Sequence, residues 1–110
     1  MRGRGAAEVL ALPVRLHGIQ LGKPVEMFVD RQADRVLGFE VACGDGAHRF
    51  LPLAAARLAA DEIALHSALT LIDESDLDLY RRNTRRLSDT GVADPWIDED
   101  GNVHEASTAA

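Results

Sequence analysis

A chain of 110 residues, 46% hydrophobic and 27% charged, suffices for one globular domain and one core, and its balance is neither disordered nor fibrous. The net charge of −6 arises wholly after Leu87. Residues 1–87 carry 12 basic and 12 acidic side chains, whereas residues 88–110 carry six acidic ones and no Lys or Arg. That distribution disfavours direct binding to nucleic-acid phosphates and to anionic membrane surfaces.

Residues 1–8 are Gly, Ala, Glu and Arg-rich without an apolar period and read as a flexible leader. From Val9, the alternation of Leu10, Leu12, Val14 and Leu16 predicts a half-buried strand, with Pro13 at an edge or bulge. The apolar run Val9–Leu12 is too short for a secretion signal or a membrane span. Cys43 is the single cysteine, which excludes an internal disulfide and suits a reducing compartment. The expectation is a cytoplasmic protein without a membrane span.

After Gly18, Ile19 and Leu21 restart the alternation, Gly22 and Pro24 interrupt it, and Val25, Met27 and Val29 resume it, which predicts a bent strand with those three side chains inward. Leu37, Phe39, Val41 and Cys43 predict a second inward row. Gly44-Asp45-Gly46 then turns the chain into a return strand carrying Phe50, Leu51 and Leu53. Ala54–Ala60 reads as a connector of at most one helical turn. Two short strands follow, one around Ile63 and Leu65 and one around Leu69, Leu71 and Ile72.

At Ser75 the period changes. Ser75 and Asp78 are spaced like a capping box, and Leu77, Tyr80, Thr84 and Leu87 share one helical face, so a helix is predicted within residues 73–87. Its acidic start and its Arg-rich end, Arg81, Arg82, Arg85 and Arg86, complement the helix dipole. Residues 88–110 read as an acidic tail. The whole is predicted to be mainly β: a small barrel of about six short strands over residues 9–72, followed by the helix and the tail.

Gly18-Ile19-Gln20-Leu21-Gly22-Lys23 with Val25 and Val29-Asp30, then Val36-Leu37-Gly38-Phe39-Glu40-Val41, then Phe50-Leu51-Pro52-Leu53 leading to Glu62-Ile63-Ala64-Leu65, together resemble the PRC-barrel family. That family is named for the cytoplasmic domain of the photosynthetic reaction-centre H subunit and also occurs at the C-terminus of a ribosome-maturation factor. The resemblance covers Val9 to Ile72 and implies a PRC-type β-barrel acting as a non-catalytic docking module for another protein.

The chemistry-bearing residues give no catalytic set. Cys43 and His48 are five apart but lack a third orienting group, and Cys43 belongs to an inward row, so it reads as core. Asp98-Glu99-Asp100-Gly101-Asn102 offers carboxylates, but its Gly stands too early for a calcium loop and it reads as a solvated turn. His17, His66 and His104 are scattered. No catalytic residue, cofactor or metal is therefore expected.

The remaining candidates are partner-binding ones. Phe28 falls opposite the inward Val25, Met27 and Val29, and Trp96 stands in a polar tail, so both are candidate exposed anchors. Arg81, Arg82, Arg85 and Arg86, beside Tyr80, form the one basic concentration. The expected function is an adaptor that binds a protein of unidentified kind, alone or as a homodimer. The alternative is a ribosome-assembly or RNA-associated factor that uses the arginines.

Overall fold

The computed structural model describes residues 3–98 and 100–105. It is mainly β, with a curled half-barrel sheet and a helix laid across its outer face. No helix among the described residues is long and apolar enough to cross a membrane.

The elements are β1 (Arg4–Gly5), α1 (Ala6–Leu10), β2 (Val14–Leu16), β3 (Ile19–Asp30), β4 (Val36–Cys43), β5 (His48–Pro52), β6 (Ala56–Leu58), β7 (Ile63–Leu65), α2 (Glu74–Asn83), β8 (Thr84–Arg86), β9 (Trp96–Ile97) and β10 (Val103–His104). The main sheet runs β5-β4-β3-β2-β7-β6, and β8 pairs with the far end of β3. β3 is long enough to serve two neighbours. Its start pairs with β2 and its end with β8, which curls the sheet around the core. β2 and β7 run parallel, with Val14 opposite Ile63 and Leu16 opposite Leu65.

The predicted hairpin at Gly44–Gly46 is present. Gly46 takes a φ of 88°, its N–H donates to the Cys43 carbonyl at 3.0 Å, and the Cys43 N–H donates to the Ala47 carbonyl at 2.9 Å. This is the three-residue hairpin loop that places a residue in the left-handed region, where a Cβ is disfavoured.

Two one-residue slips correct the predicted inward rows. Pairing shifts between Pro24 and Glu26, so Val25 is the extra residue on β3 and turns outward, 48% exposed. It shifts again between Phe28 and Val29, so Leu37 is the extra residue on β4 and is 38% exposed. A bulge inserts one residue and reverses the facing of what would otherwise alternate. Met27, Val29, Phe39 and Val41 do point inward and are buried with Val14, Leu51 and Ile63.

The segment before β2 also departs from its prediction. Ala6–Leu10 is a helix rather than the start of a strand, and Ala6 and Val9, three residues apart on one face, are buried in the barrel core. Residues 3–8, expected to be a flexible leader, are thus held by β1 and α1; residues 1–2 lie outside the described residues. The stretch around Leu69 is a 3-10 turn (Ala68–Thr70) rather than a strand, and only Ile72 bridges to the sheet, exchanging backbone hydrogen bonds with Phe50. Within the connector, Leu53–Ala55 is a 3-10 turn and Ala56–Leu58 is β6.

α2 begins after Asp73, as the predicted range allows, with Asp73 rather than Ser75 as its N-cap, and it ends at Asn83, four residues short of the predicted end. Asn83 Nδ2 donates to the Leu79 carbonyl at 2.7 Å and Thr84 Oγ1 to the Tyr80 carbonyl at 2.5 Å, which satisfies carbonyls that a longer helix would have used. Thr84 then goes extended into β8, so Arg85 and Arg86 stand on a strand.

The acidic tail is folded through residue 98 and again over 100–105; residues 99 and 106–110 lie outside the described residues. β9 pairs with both β1 and β10, and Ile97 and Val103 are buried in the main core. The Val36 N–H donates to the Gly101 carbonyl at 2.8 Å and the Val103 N–H to the Asp34 carbonyl at 2.7 Å, which ties this hairpin to the β3–β4 loop. Two apolar side chains in a charged stretch suffice to dock it.

Candidate functional site

Both faces of the β3–β4–β5 region are covered, and this decides which side chains remain available. Inside lies the barrel core. Outside, Phe28, Phe50 and Leu77 form a second buried cluster under α2, edged by Ile72 and Tyr80. The Phe50 ring stacks on Phe28 with centroids 5.8 Å apart and on Tyr80 at 4.1 Å. A Cβ at Gly38 would fall 2.6 Å from Phe50 Cζ and 2.4 Å from the Leu51 carbonyl oxygen, so the bare backbone there lets the ring lie against β4. Phe28 is therefore not an exposed anchor. It does face opposite Met27 and Val29, but that side of the sheet is roofed by the helix.

Beside this cluster sits Glu40, 7% exposed. Its carboxylate accepts from Arg81 Nη2 at 2.9 Å and Nε at 3.3 Å, and lies 2.5 Å from His48 Nδ1. Burial alone would raise its pKa; the hydrogen bonds and charges of Arg81 and His48 outweigh burial and hold it below the usual carboxylate value. Arg81 also pairs with Asp78 at 2.9 Å. The group fastens α2 to β4 and β5.

The four arginines do not form one patch. Arg81 is bound to Glu40 and Asp78. Arg85 donates to the Asp30 carbonyl at 3.1 Å and to Asp34 Oδ1 at 3.1 Å. Arg82 and Arg86 are exposed, and the Arg82 side chain donates to the Asp78 carbonyl at 3.3 Å. Arg31, which sequence reasoning passed over, joins them by donating to the Arg82 carbonyl at 2.7 Å. Trp96 is half-buried rather than free: its ring stacks on His104 at 4.3 Å and Nε1 donates to the Glu105 carbonyl at 3.3 Å.

Asp98 organises its own turn. Its Oδ1 accepts from the Asp100 and Asn102 N–H groups, and its Oδ2 lies 2.9 Å from His104 Nε2, which with these bonds brings its pKa down to about 2. His48 faces Glu40, while Cys43 packs at the edge of the inner core, so the two do not meet as a thiol and its base.

A cleft of about 720 Å³ lies between the tip of the β4–β5 hairpin and the segment leading into α2. Leu21, Cys43, Leu71 and Ile72 wall it, and Leu69 stands on its rim. Leu69 is 94% exposed. Arg49 grips Asp45 across both carboxylate oxygens at 3.2 and 2.9 Å, bringing Asp45 down to about 2. Asp73 and Asp76 also line the cleft, exposed and without a cationic partner among the described residues. One turn beyond Asp76, Leu79 is exposed as well. An apolar wall with acidic groups at its rim is a surface for a segment that brings apolar and basic side chains together.

Compared with protein-family models and with curated proteins, the chain matches none.

Proposed function

We propose that this chain is a non-catalytic protein-docking module of PRC-barrel type, working in the cytoplasm and holding a partner segment in the cleft rimmed by Leu69. The observation that carries this reading is Leu69 itself. A leucine 94% exposed beside an apolar cleft gains about 2 kcal/mol when a partner covers it, the ordinary driving force of an interface anchor. The unpaired Asp73 and Asp76 favour a basic segment over an acidic one. The half-barrel supplies a rigid frame, with α2 clamped by Glu40 and Arg81 so that the cleft keeps its shape. Homodimerisation through the same cleft is a less fitting arrangement, because the acidic rim would have to meet a basic segment of its own copy.

The alternative, a ribosome-assembly or RNA-associated factor, draws on Arg31, Arg82 and Arg86, which have no carboxylate partner among the described residues. Affinity capture from native-host lysate separates the two readings. The docking reading expects a captured protein that survives nuclease treatment and disappears with Leu69→Asp, while the thermal midpoint of that variant stays within about 2 °C of wild type, as for a surface change. Capture lost to nuclease and to Arg82→Glu, but not to Leu69→Asp, would establish the RNA reading instead.

A further inference from the structure

β6 is one end of the main sheet, and the register shows which groups lie along its outer edge. The Ala59 N–H donates to the Glu62 carbonyl at 2.9 Å, and Arg57 stands opposite Ala64, so the inward-bonding residues of the β6–β7 ladder are Ala59 and Arg57. Ala56 and Leu58 accordingly turn their backbone groups the other way. The Ala56 N–H is taken by the Leu53 carbonyl. The Leu58 N–H and the carbonyls of Ala56 and Leu58 have no protein partner among the described residues.

This edge borders a second cleft, about 530 Å³, that separates β6 from the small sheet of β1, β9 and β10. Leu53, Leu58 and Ile97 give it apolar lining, and Arg4 and Arg57 give it charge. Neither cation meets a carboxylate among the described residues: Arg4 donates to the Ala59 and Ala60 carbonyls, and Arg57 projects into solvent. Asp98 also lines the cleft, but its oxygens are held by His104, Asn102 and Asp100.

We infer that the open edge of β6 accepts an extended acidic peptide segment as an added strand. Its backbone would make up to three hydrogen bonds, two with Leu58 and one to the Ala56 carbonyl. Because successive side chains of a strand point to opposite faces, an alternating acidic and apolar segment places one set over Leu53 and Leu58 and the other toward Arg57 and Arg4. A second copy of this chain fits worse, since antiparallel pairing of two β6 edges through the free Leu58 groups would set Arg57 opposite Ala59 and give it no carboxylate. The inference adds a second surface to the docking reading and does not use the Leu69 cleft.

The test uses the full chain, labelled with nitrogen-15, and a synthetic peptide of alternating Glu and Val with blocked ends. The expected result is that the amide of Leu58 shifts and becomes protected from exchange. Binding should weaken about tenfold or more with Arg57→Glu, as for loss of a charge-assisted contact, and also when the peptide is N-methylated on the residues that face β6, a change that leaves the protein untouched. Leu69→Asp should leave this binding unaltered. Shifts confined to other residues, equal binding of a Lys and Val peptide, or indifference to N-methylation would overturn the inference while leaving the Leu69 cleft intact. A Leu58 shift that depends on protein concentration without peptide would overturn it in favour of self-pairing.

Discussion

Phe28→Ala should lower the free energy of unfolding by about 3–5 kcal/mol, the range for removing a fully buried aromatic ring, because Phe28 is 0% exposed beneath α2 and stacked on Phe50. For a domain of this size, whose total stability is on the order of 5–15 kcal/mol, that is a large share. Urea titration gives the number directly. The reading of Phe28 as a solvent-facing anchor requires instead a change near zero, so the two accounts differ by several kcal/mol at one position. Phe28→Asp, which buries an unpaired carboxylate in the same place, should prevent folding altogether.

Arg81→Ala should cost about 1–2 kcal/mol, the penalty of leaving a buried carboxylate short of a partner, reduced because Arg81 is itself about one-third exposed. The pH dependence has a definite sign. Glu40 in the folded chain titrates below its ordinary value of 4.5, so it contributes stability at neutral pH that is lost as pH falls through the lowered value. Asp45 and Asp98 are lowered in the same direction. A comparison of wild type with Glu40→Gln therefore isolates the Glu40 share: the stability gap between them should narrow as the pH drops from about 4.5. A gap independent of pH would show that folding leaves the Glu40 pKa unshifted, and a gap that widens toward acid would show that Glu40 is not ionised in the fold.

The architecture was legible where one local signal decided the matter. Gly44-Asp45-Gly46 specifies its hairpin, and Leu77 with Tyr80 marks the buried face of α2. What escaped the sequence depends on events across strands. A bulge is a mismatch between two strands, so nothing in Val25 or Leu37 alone announces that it is the surplus residue. The burial of Phe28 depends on a helix nearly fifty residues later, and an outward residue on an isolated strand looks the same whether or not something covers it. Leu10, Leu12, Val14 and Leu16 satisfy a period of two, yet Ala6 and Val9 also satisfy a helical spacing, and their burial in the core goes with the helix.

The candidate site was less legible than the fold. Leu69 alternates with Leu71, a spacing that predicts a short strand there, whereas the segment is a 3-10 turn that leaves Leu69 in solvent. Asp73 and Asp76 belong to the acidic start of the helix, which complements its dipole, a role compatible with lining a cleft. The arginine group looked continuous because a helix through Leu87 would have aligned it. The break at Asn83 divides it, and Glu40, a β4 residue, takes Arg81.

Site-specific photo-crosslinking from position 69, in the full chain expressed in its native host, tests the docking account most directly. The account predicts a protein adduct that is resistant to nuclease and lost when Asp73 and Asp76 are both changed to Lys. An adduct to RNA, or the absence of any adduct while position 82 crosslinks efficiently, would contradict it.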